Sequence, residues 1–506
     1  MEVKGREKQI VDERIKKIEA LKKEGINPYA HRFDLHGERG YSSDLQKKFS
    51  KLKDDAKSGE DAVVAGRIMT KRSFGKLSFC SLQDLRGTIQ IVVQKDESSE
   101  DAIGMFKKVD TGDIIGVKGE VVKTRTGEVS ILAQKVFILT KSILPLPDKH
   151  KGLQDKEERY RKRYLDLIIN PEVKDVFLKR ARVIDTIRSF LKKDDFIEVE
   201  TPALQPLYGG AEARPFITEL HALKMKLYLS ISPEIYLKKL LVGGIEKNFT
   251  ICKNFRNEGI DATHNPEFTM MEAYASYWDY NDVRKMTEQL LEKIAKDVCG
   301  GTDVEYQGKT LNFKAPFNVM TIEESIKKYC KIDPCDESKL KSYAKKNGFS
   351  GTNDQLLHFI FDEKVEHNLT QPTFITDYPK STCPLTKDHR DDDSKVERFE
   401  LFIDGMEVAN AYSELNDPEE QERRLKSQLK GEGRLEKFEA HFEANAIDED
   451  FVNSLKVGMP PAGGVGIGID RIVMFFTDQP SIRDVIFFPF MKPEVSEKKK
   501  TSKRKS

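Results

Sequence analysis

Hydrophobic positions change period several times along the chain, and each change marks a boundary. Between residues 2 and 24, Ile10, Ile15, Ile18 and Leu21 recur at helical spacing among charges, which predicts an amphipathic helix closed by a turn at Gly25 to Pro28. A second helix is expected over 42–60, so that 1–60 reads as an N-terminal helical segment. From Asp61 to Thr140 the period falls to two, in the runs AVVAGRIMT, LSFCSLQD, TIQIVVQ, DIIGVKGEVV and VSILAQKVFILT. Turns at Gly75, Arg86-Gly87, Gly112 and Thr126-Gly127 separate them. About five short strands in one compact stretch suit a small closed barrel of the OB type, over 61–140. Pro145, Pro147 and a dense charge run then predict a linker over 141–171.

A larger unit follows, over 172–491. Val176, Val183, Ile184 and Ile187 give a helix over 172–193, either a core helix or an edge element that pairs two subunits, and FIEVETPAL gives a short strand stopped at Pro202. Alternating strands come next, with Ser232-Pro233 starting the helix EIYLKKLL. A long helix is expected over 279–298, and charge-rich helical text over 321–370 reads as an inserted subdomain. Alternation over 397–407 puts Glu397, Phe399, Leu401 and Ile403 on one face and Arg398, Glu400 and Phe402 on the other. Helical text covers 417–456, and GGVGIGIDRIVMFF joins close-packed glycines to an apolar helix with Arg471 at the join. The tail, 492–506, is basic and expected to be disordered.

Composition narrows the partners. Eighty-five basic residues against 84 acids leave a net charge of +1, which excludes a uniformly basic nucleic-acid coat but allows a local basic surface. No apolar run approaches the roughly 20 residues that cross a bilayer, and MEVKGREKQI has no signal-like segment, so a cytoplasmic protein without membrane contact is expected. Six cysteines, at 80, 252, 299, 330, 335 and 383, form no Cys-x-x-Cys and predict reduced thiols.

Candidate chemistry concentrates in FRNEGIDATHNPEFTMMEAY, residues 255–274. A turn there can present Arg256 and His264 to phosphate oxygens while Phe268 offers a flat face to a base, although a surface hairpin with Phe268 in the core fits the same text. Glu400 and Glu407 supply hard oxygens suited to magnesium, or they face solvent. Glu234 lies in a first helical turn, where the helix dipole alone accounts for an acid. In the barrel, Arg72, Lys76, Phe79 and Gln90 are the useful-looking groups; Phe79 fits core or platform, and Gln90 and Glu128 would read bases only if they share its face. No Walker loop is present, and no Ser-His-Asp or Cys-His set calls for a covalent enzyme intermediate.

Together these phrases resemble the class II aminoacyl-tRNA synthetases, and within them the lysine-specific branch. TPALQP resembles the end of the first class motif, FRNEGIDATHNPEF the second and GIGIDRIVM the third; ARPFIT with ISPEIYLKKL and EVANAYSELND look lysine-specific, while GKLSF and GTIQIVV resemble the anticodon-binding module. The resemblance implies an α+β fold, with an OB-fold β-barrel followed by a catalytic domain whose mainly antiparallel sheet is flanked by helices, and a homodimer built on the first motif. It implies lysine activation with ATP and Mg2+ and transfer to tRNA-Lys. Arg256 would hold the α-phosphate, His264 the outer phosphates, Glu258 the adenine amino group, and Phe268 and Arg471 the two faces of adenine; Glu400 and Glu407 would bind magnesium. Glu234 and Glu414 would take the ε-ammonium of lysine, with Tyr274 and Tyr412 beside it, Asn410 and Glu407 near the substrate head and Gly210 near its amino group. Phe79 would stack on an anticodon base, with Arg72, Gln90 and Glu128 contributing recognition. The resemblance also allows membership of a larger synthetase assembly and diadenosine polyphosphates as a side product. The alternatives are an aspartate or asparagine synthetase, or a noncatalytic RNA-binding regulator derived from one.

Overall fold

A computed structural model describes residues 5–33, 38–147, 153–211, 213–429 and 447–493. The chain divides into two compact units, residues 1–153 and 154–506. In the first, β1 (Ala56–Phe74), β2 (Leu77–Gln83), β3 (Thr88–Gln94), β4 (Ile114–Lys123) and β5 (Val129–Thr140) close into a barrel in the order β1-β2-β3-β5-β4. Ile68, Leu82, Ile91, Val117 and Ile131 fill its interior. A helix over Glu100–Lys108, not expected among the strand runs, adds Ala102 and Phe106 to that core.

The N-terminal helix is present at Arg6–Lys23, but the one expected over 42–60 covers only Ser42–Lys48, and β1 already begins at Ala56. Gly59, at φ +75°, and a register shift between Lys57 and Asp61 interrupt the alternation there, so the start of the strand carries no period-two signal. The expected linker over 141–171 holds two short helices, Lys156–Arg161 and Arg163–Ile169.

In the second unit, β6 (Ile197–Glu198) is followed by a small sheet of β7 (Leu204–Gln205), β8 (Ile217–Leu220) and β9 (Met225–Leu229). Then come β10 (Lys247–Phe255), β11 (Glu267–Ser276), the hairpin β12 (Asp303–Tyr306) and β13 (Lys309–Asn312), β14 (Asn318–Thr321), β15 (Thr373–Thr376), β16 (Arg398–Ile403), β17 (Met406–Ser413) and β18 (Ala462–Gly468). Eight of these form one sheet in the order β14-β15-β16-β17-β18-β11-β10-β6. It is antiparallel except at its two edges, where β14 with β15 and β10 with β6 are parallel. A parallel pair needs a long crossover. Residues 322–368 supply the one at β14 and β15 as helices with their own core, including Ile326, Leu340, Ile360 and Phe361.

One face of the eight-stranded sheet is apolar and packs on helices Pro171–Lys193, Tyr280–Cys299 and Ile469–Phe476. Met271, Ala273, Phe399, Leu401, Ala411, Val465 and Ile467 point into that core. Because side chains alternate across a strand, the intervening residues are committed to the opposite face. That face carries the candidate site. The text expected to be helical over 417–456 contributes Pro418–Leu429 and Glu449–Gly458, and 430–446 lies outside the described residues, as does the tail beyond 493. No helix among the described residues is long and apolar enough to cross a membrane.

Candidate active site

A cavity of about 710 Å³ lies over the polar face of the sheet. Of the residues the sequence singled out for this unit, all but Glu414 line it: Gly210, Glu234, Arg256, Glu258, His264, Phe268, Tyr274, Glu400, Glu407, Asn410, Tyr412 and Arg471. Alternation explains most of that convergence. Phe268, Glu272 and Tyr274 share one face of β11, Glu400 stands on the same face of β16, and Asn410 and Tyr412 on that of β17. Glu407 lies at odd spacing from Asn410 and should point into the core. A bulge corrects this: Leu401 pairs with Ala409 but Phe402 with Glu407, so one extra residue on β17 turns Glu407 to the cavity.

One group of residues combines a cation, an aromatic face and a second arginine. The Arg256 guanidinium sits 5.1 Å from the Phe268 ring centroid, and its buried Nε has no hydrogen-bond partner. Burial lowers its pKa, while Glu258, Glu407 and Glu272 oppose that shift. Arg471, in the first turn of the helix Ile469–Phe476, donates from Nη1 to the Glu407 carbonyl at 2.6 Å and lies 3.3 Å from His264 Nε2 through Nη2. Asp470 beside it anchors that helix, accepting from the Thr269 amide at 2.6 Å and from Arg180 at 2.6 Å. His264 Nδ1 in turn lies 2.9 Å from Asp261.

Glu400 is more enclosed than an alternating strand predicted. Arg398 donates to its Oε1, and the Tyr378 hydroxyl donates to Oε2 at 2.7 Å. Burial, with repulsion from Glu407 and Asp362, still pushes its pKa up despite Arg398. Glu366 behaves alike, raised to about 7 by burial and by Asp362, Glu407 and Glu400. The neighbourhood therefore carries more negative charge than its arginines offset, and hard oxygens of this kind suit a divalent cation. Among the described residues, no group of three or more such side chains is arranged to hold a metal alone.

The second group is a nest of buried acids. Glu234 Oε1 accepts from the Tyr412 hydroxyl at 2.7 Å and from Lys238 Nζ at 2.7 Å. Glu414, which the resemblance gives to the ε-ammonium, is 1 % exposed and does not itself line the cavity, with Lys238 Nζ 2.5 Å from Oε2. Gly464 makes room for it: a Cβ there would fall 2.2 Å from Glu414 Oε1 and 2.4 Å from the Tyr274 ring. Glu272, which sequence reading passed over, accepts from Ser232 Oγ at 2.9 Å and from the Tyr274 hydroxyl at 3.1 Å. Burial and the nearby Glu234 push its pKa up to about 8. Its signal was only its even position in β11, shared with Phe268 and Tyr274. Gly210, at φ +83°, brings its backbone against Ser232 and Glu234, and a Cβ there would lie 3.0 Å from both side chains.

In the barrel, Arg72 pairs across strands with Phe79, Phe79 with Val92, and Ser81 with Gln90. Cys80, Leu82, Ile89 and Ile91 point inward, so Phe79 and Gln90 share the outer face, with Phe79 half-buried. Gln90 Nε2 donates to Glu128 Oε2 at 2.8 Å, which places Glu128 on that face as well.

The profile of the family described as tRNA synthetases class II (D, K and N) matches residues 155–492, and that of the OB-fold nucleic acid binding domain matches residues 62–139. Among similar proteins, the lysine–tRNA ligase of Trichormus variabilis is 46 % identical, covering 97 % of this chain and 89 % of its own. The lysine–tRNA ligases of Carboxydothermus hydrogenoformans and Methanospirillum hungatei are each 46 % identical, with 96 % of this chain covered and 98 % and 96 % of theirs.

Proposed function

The chain belongs to the class II tRNA synthetases of the aspartate, lysine and asparagine group and has ATP-dependent lysine–tRNA ligase activity, and on that premise we propose how its cavity divides the work. Arg256 holds the α-phosphate of ATP, His264 and Arg471 reach the outer phosphates, Phe268 and Arg471 enclose adenine, and Glu258 accepts from its amino group. Glu234 and Glu414 attract the ε-ammonium of lysine, Tyr274 and Tyr412 fix the stem, and Glu272 beside Gly210 takes the α-ammonium. Asn410 stands near the carboxylate. The observation that carries this reading is the junction of two unlike chemistries in one cavity: a buried nest of acids beside an arginine with an unused donor over an aromatic face.

In the first step a lysine carboxylate oxygen attacks the α-phosphorus in line, and the bond to the bridging oxygen breaks as pyrophosphate leaves. Both reactants are anions, so Arg256 lowers the barrier by offsetting charge that builds on the α-phosphate oxygens. In the second step a terminal ribose hydroxyl of tRNA attacks the carbonyl of the adenylate and expels AMP. Placement supplies most of the acceleration. A Mg2+ ion held by Glu400 and Glu407 with the ATP phosphates, when bound, supplies positive charge against the leaving group. The family's need for ATP with magnesium fits this acid-rich donor set.

Exchange of labelled pyrophosphate into ATP, run with lysine, arginine, aspartate and asparagine at matched concentration, tests the reading. Lysine alone is expected to support it; exchange with aspartate or asparagine would overturn the assignment of the acid nest. Ammonium groups favour ionised carboxylates, so lysine binding must displace the proton that Glu272 retains up to about pH 8. The KM for lysine is therefore expected to fall as pH rises from about 6 to 8, by up to about tenfold per unit while one proton is displaced, with the KM for ATP nearly flat. A lysine KM independent of pH over that range would remove Glu272 from the ammonium site.

For the barrel, Phe79 stacks on an anticodon base and Arg72, Gln90 and Glu128 read its edge. Phe79→Ala is expected to weaken tRNA charging by about 1–3 kcal/mol, roughly fivefold to 150-fold, and to leave lysine-dependent exchange intact. Loss of exchange in a folded variant would instead place Phe79 in the barrel's stability. A homodimer is the assembly we infer. Leu178 on the helix Pro171–Lys193, Phe487, which stacks on Phe177 of that helix, and Phe488 and Phe490 are exposed apolar side chains that a second copy would cover.

A further inference from the structure

Lys238 follows Glu234 by one helical turn on the helix Glu234–Val242 and lies outside the cavity wall. Its side chain is 0 % exposed, and its Nζ bridges Glu234 Oε1 at 2.7 Å and Glu414 Oε2 at 2.5 Å. The Tyr412 and Phe451 rings flank it, 5.4 and 6.0 Å away. Spacing of this kind on an exposed helix adds little stability, whereas burying each ion costs far more than the pair returns there. Helix stability therefore does not account for the arrangement. The ion faces the two acids assigned to the substrate, one of which reaches the cavity while the other keeps an unpartnered oxygen, Glu414 Oε1.

We propose that Lys238 is a positioning residue for lysine selection: from behind the cavity its ammonium clamps Glu234 and Glu414 as an ionised pair, and the ε-ammonium of the substrate completes a closed set of two carboxylates and two ammoniums. The proposal rests on the assignment of this cavity to lysine. Charge balance gives it content. Burial, with repulsion from Glu234 and Glu272, pushes the Glu414 pKa up to about 8, and Lys238 opposes that shift. With Lys238 in place the ionised pair carries one net negative charge before lysine arrives and none afterwards. Without Lys238, two buried carboxylates share one site, and such pairs retain a proton. A protonated carboxyl donates where the ammonium needs an acceptor.

The groups facing Lys238 are few: Glu234 on its own helix, and Tyr412 and Glu414 at the end of β17. Glu272 and Tyr274 on β11 stand beyond Glu234, and the helix Glu449–Gly458 offers the apolar Phe451. Burial opposes the charge on Lys238, but Glu234 and Glu414 outweigh it and hold its pKa above the ordinary value. The ammonium thus persists across the pH range of an assay.

The test is lysine-dependent pyrophosphate exchange by the full chain as a function of pH, with thermal melting as the check on folding. Lys238→Met is expected to raise the lysine KM by about tenfold or more at pH 7, leave the ATP KM within about twofold, and move the acid limb of kcat/KM for lysine up by about one pH unit, as a retained proton requires. Lys238→Arg, which keeps the charge, is expected to restore the limb. If Lys238→Met does not fold, Glu414→Gln carries the test, alone and combined with Lys238→Met. In the single variant Lys238 monopolises Glu234 and the lysine KM rises; adding Lys238→Met frees Glu234 and is expected to lower that KM by about tenfold. Profiles of Lys238→Met that superimpose on the parent, equal rises in both KM values, or no gain from the combined variant would each overturn the proposal. A parent protein that exchanges with no lysine dependence would instead overturn the assignment of the cavity.

Discussion

Arg256→Ala is expected to cut kcat for lysine-dependent pyrophosphate exchange by about a thousandfold, on the order of 4 kcal/mol of transition-state stabilisation. The guanidinium occupies a buried position held over Phe268, with its Nε uncommitted, so its donors are preorganised for a ligand and not spent on the fold. Three acids, Glu258, Glu407 and Glu272, keep it charged against the cost of burial. Arg471 cannot take over, because its Nη1 is tied to the Glu407 carbonyl. Lysine at position 256 would restore charge without the planar fork, so Arg256→Lys is expected to recover only part of the loss. The decisive quantity is the split between kcat and KM. A variant with kcat within about tenfold of the parent and only a raised ATP KM would make Arg256 a ground-state contact.

Legibility of the site in the sequence followed strand geometry. Phe268, Tyr274, Asn410 and Tyr412 sit where plain alternation puts them, and the same rule assigns Met271, Phe399 and Val465 to the core. Glu407 breaks the rule, because a bulge between β16 and β17 re-aims it, and a bulge of this type leaves no mark in one sequence. The same limit hid the start of β1, where Gly59 interrupts the alternation.

Charge was the other blind spot. Nothing in the sequence separates Lys238 from its neighbour Lys239, which is only half-buried and pairs with Asp448 and Asp450. Lys238 packs against Glu414 just past β17 and Phe451 of the helix Glu449–Gly458, and neither neighbour is close in sequence. Glu414 was found by motif, but its burial was not legible, since Gly464 opens space for it that no local pattern announces. Glu272 was overlooked because the apolar run around it reads as core, and on one face it is.

Glu234→Gln separates the two halves of the cavity. The substitution keeps size and shape, but it replaces an oxygen that accepts from Tyr412 and Lys238 with an amide that also donates. Two ammoniums, one resident and one from the substrate, would then share Glu414 alone. Truncating one partner of a buried charge pair at a binding site costs about 2–5 kcal/mol, so the lysine KM is expected to rise by roughly thirtyfold to several thousandfold. The residues proposed to meet ATP, Arg256, Phe268 and Arg471, are not hydrogen-bonded to Glu234, and the ATP dissociation constant is expected to stay within about twofold, since sites without shared partners combine nearly additively. Stability should fall as well, because Lys238 loses one of its two carboxylates in a place water does not reach. Urea titration measures that loss independently, and thermal melting sets the temperature at which the kinetics are valid. Equal losses in lysine and ATP binding by folded protein would sink the division of the cavity into an ammonium half and a phosphate half. A selective loss for lysine, with arginine still excluded, would place the choice of amino acid on a few buried charges whose balance Lys238 maintains from behind.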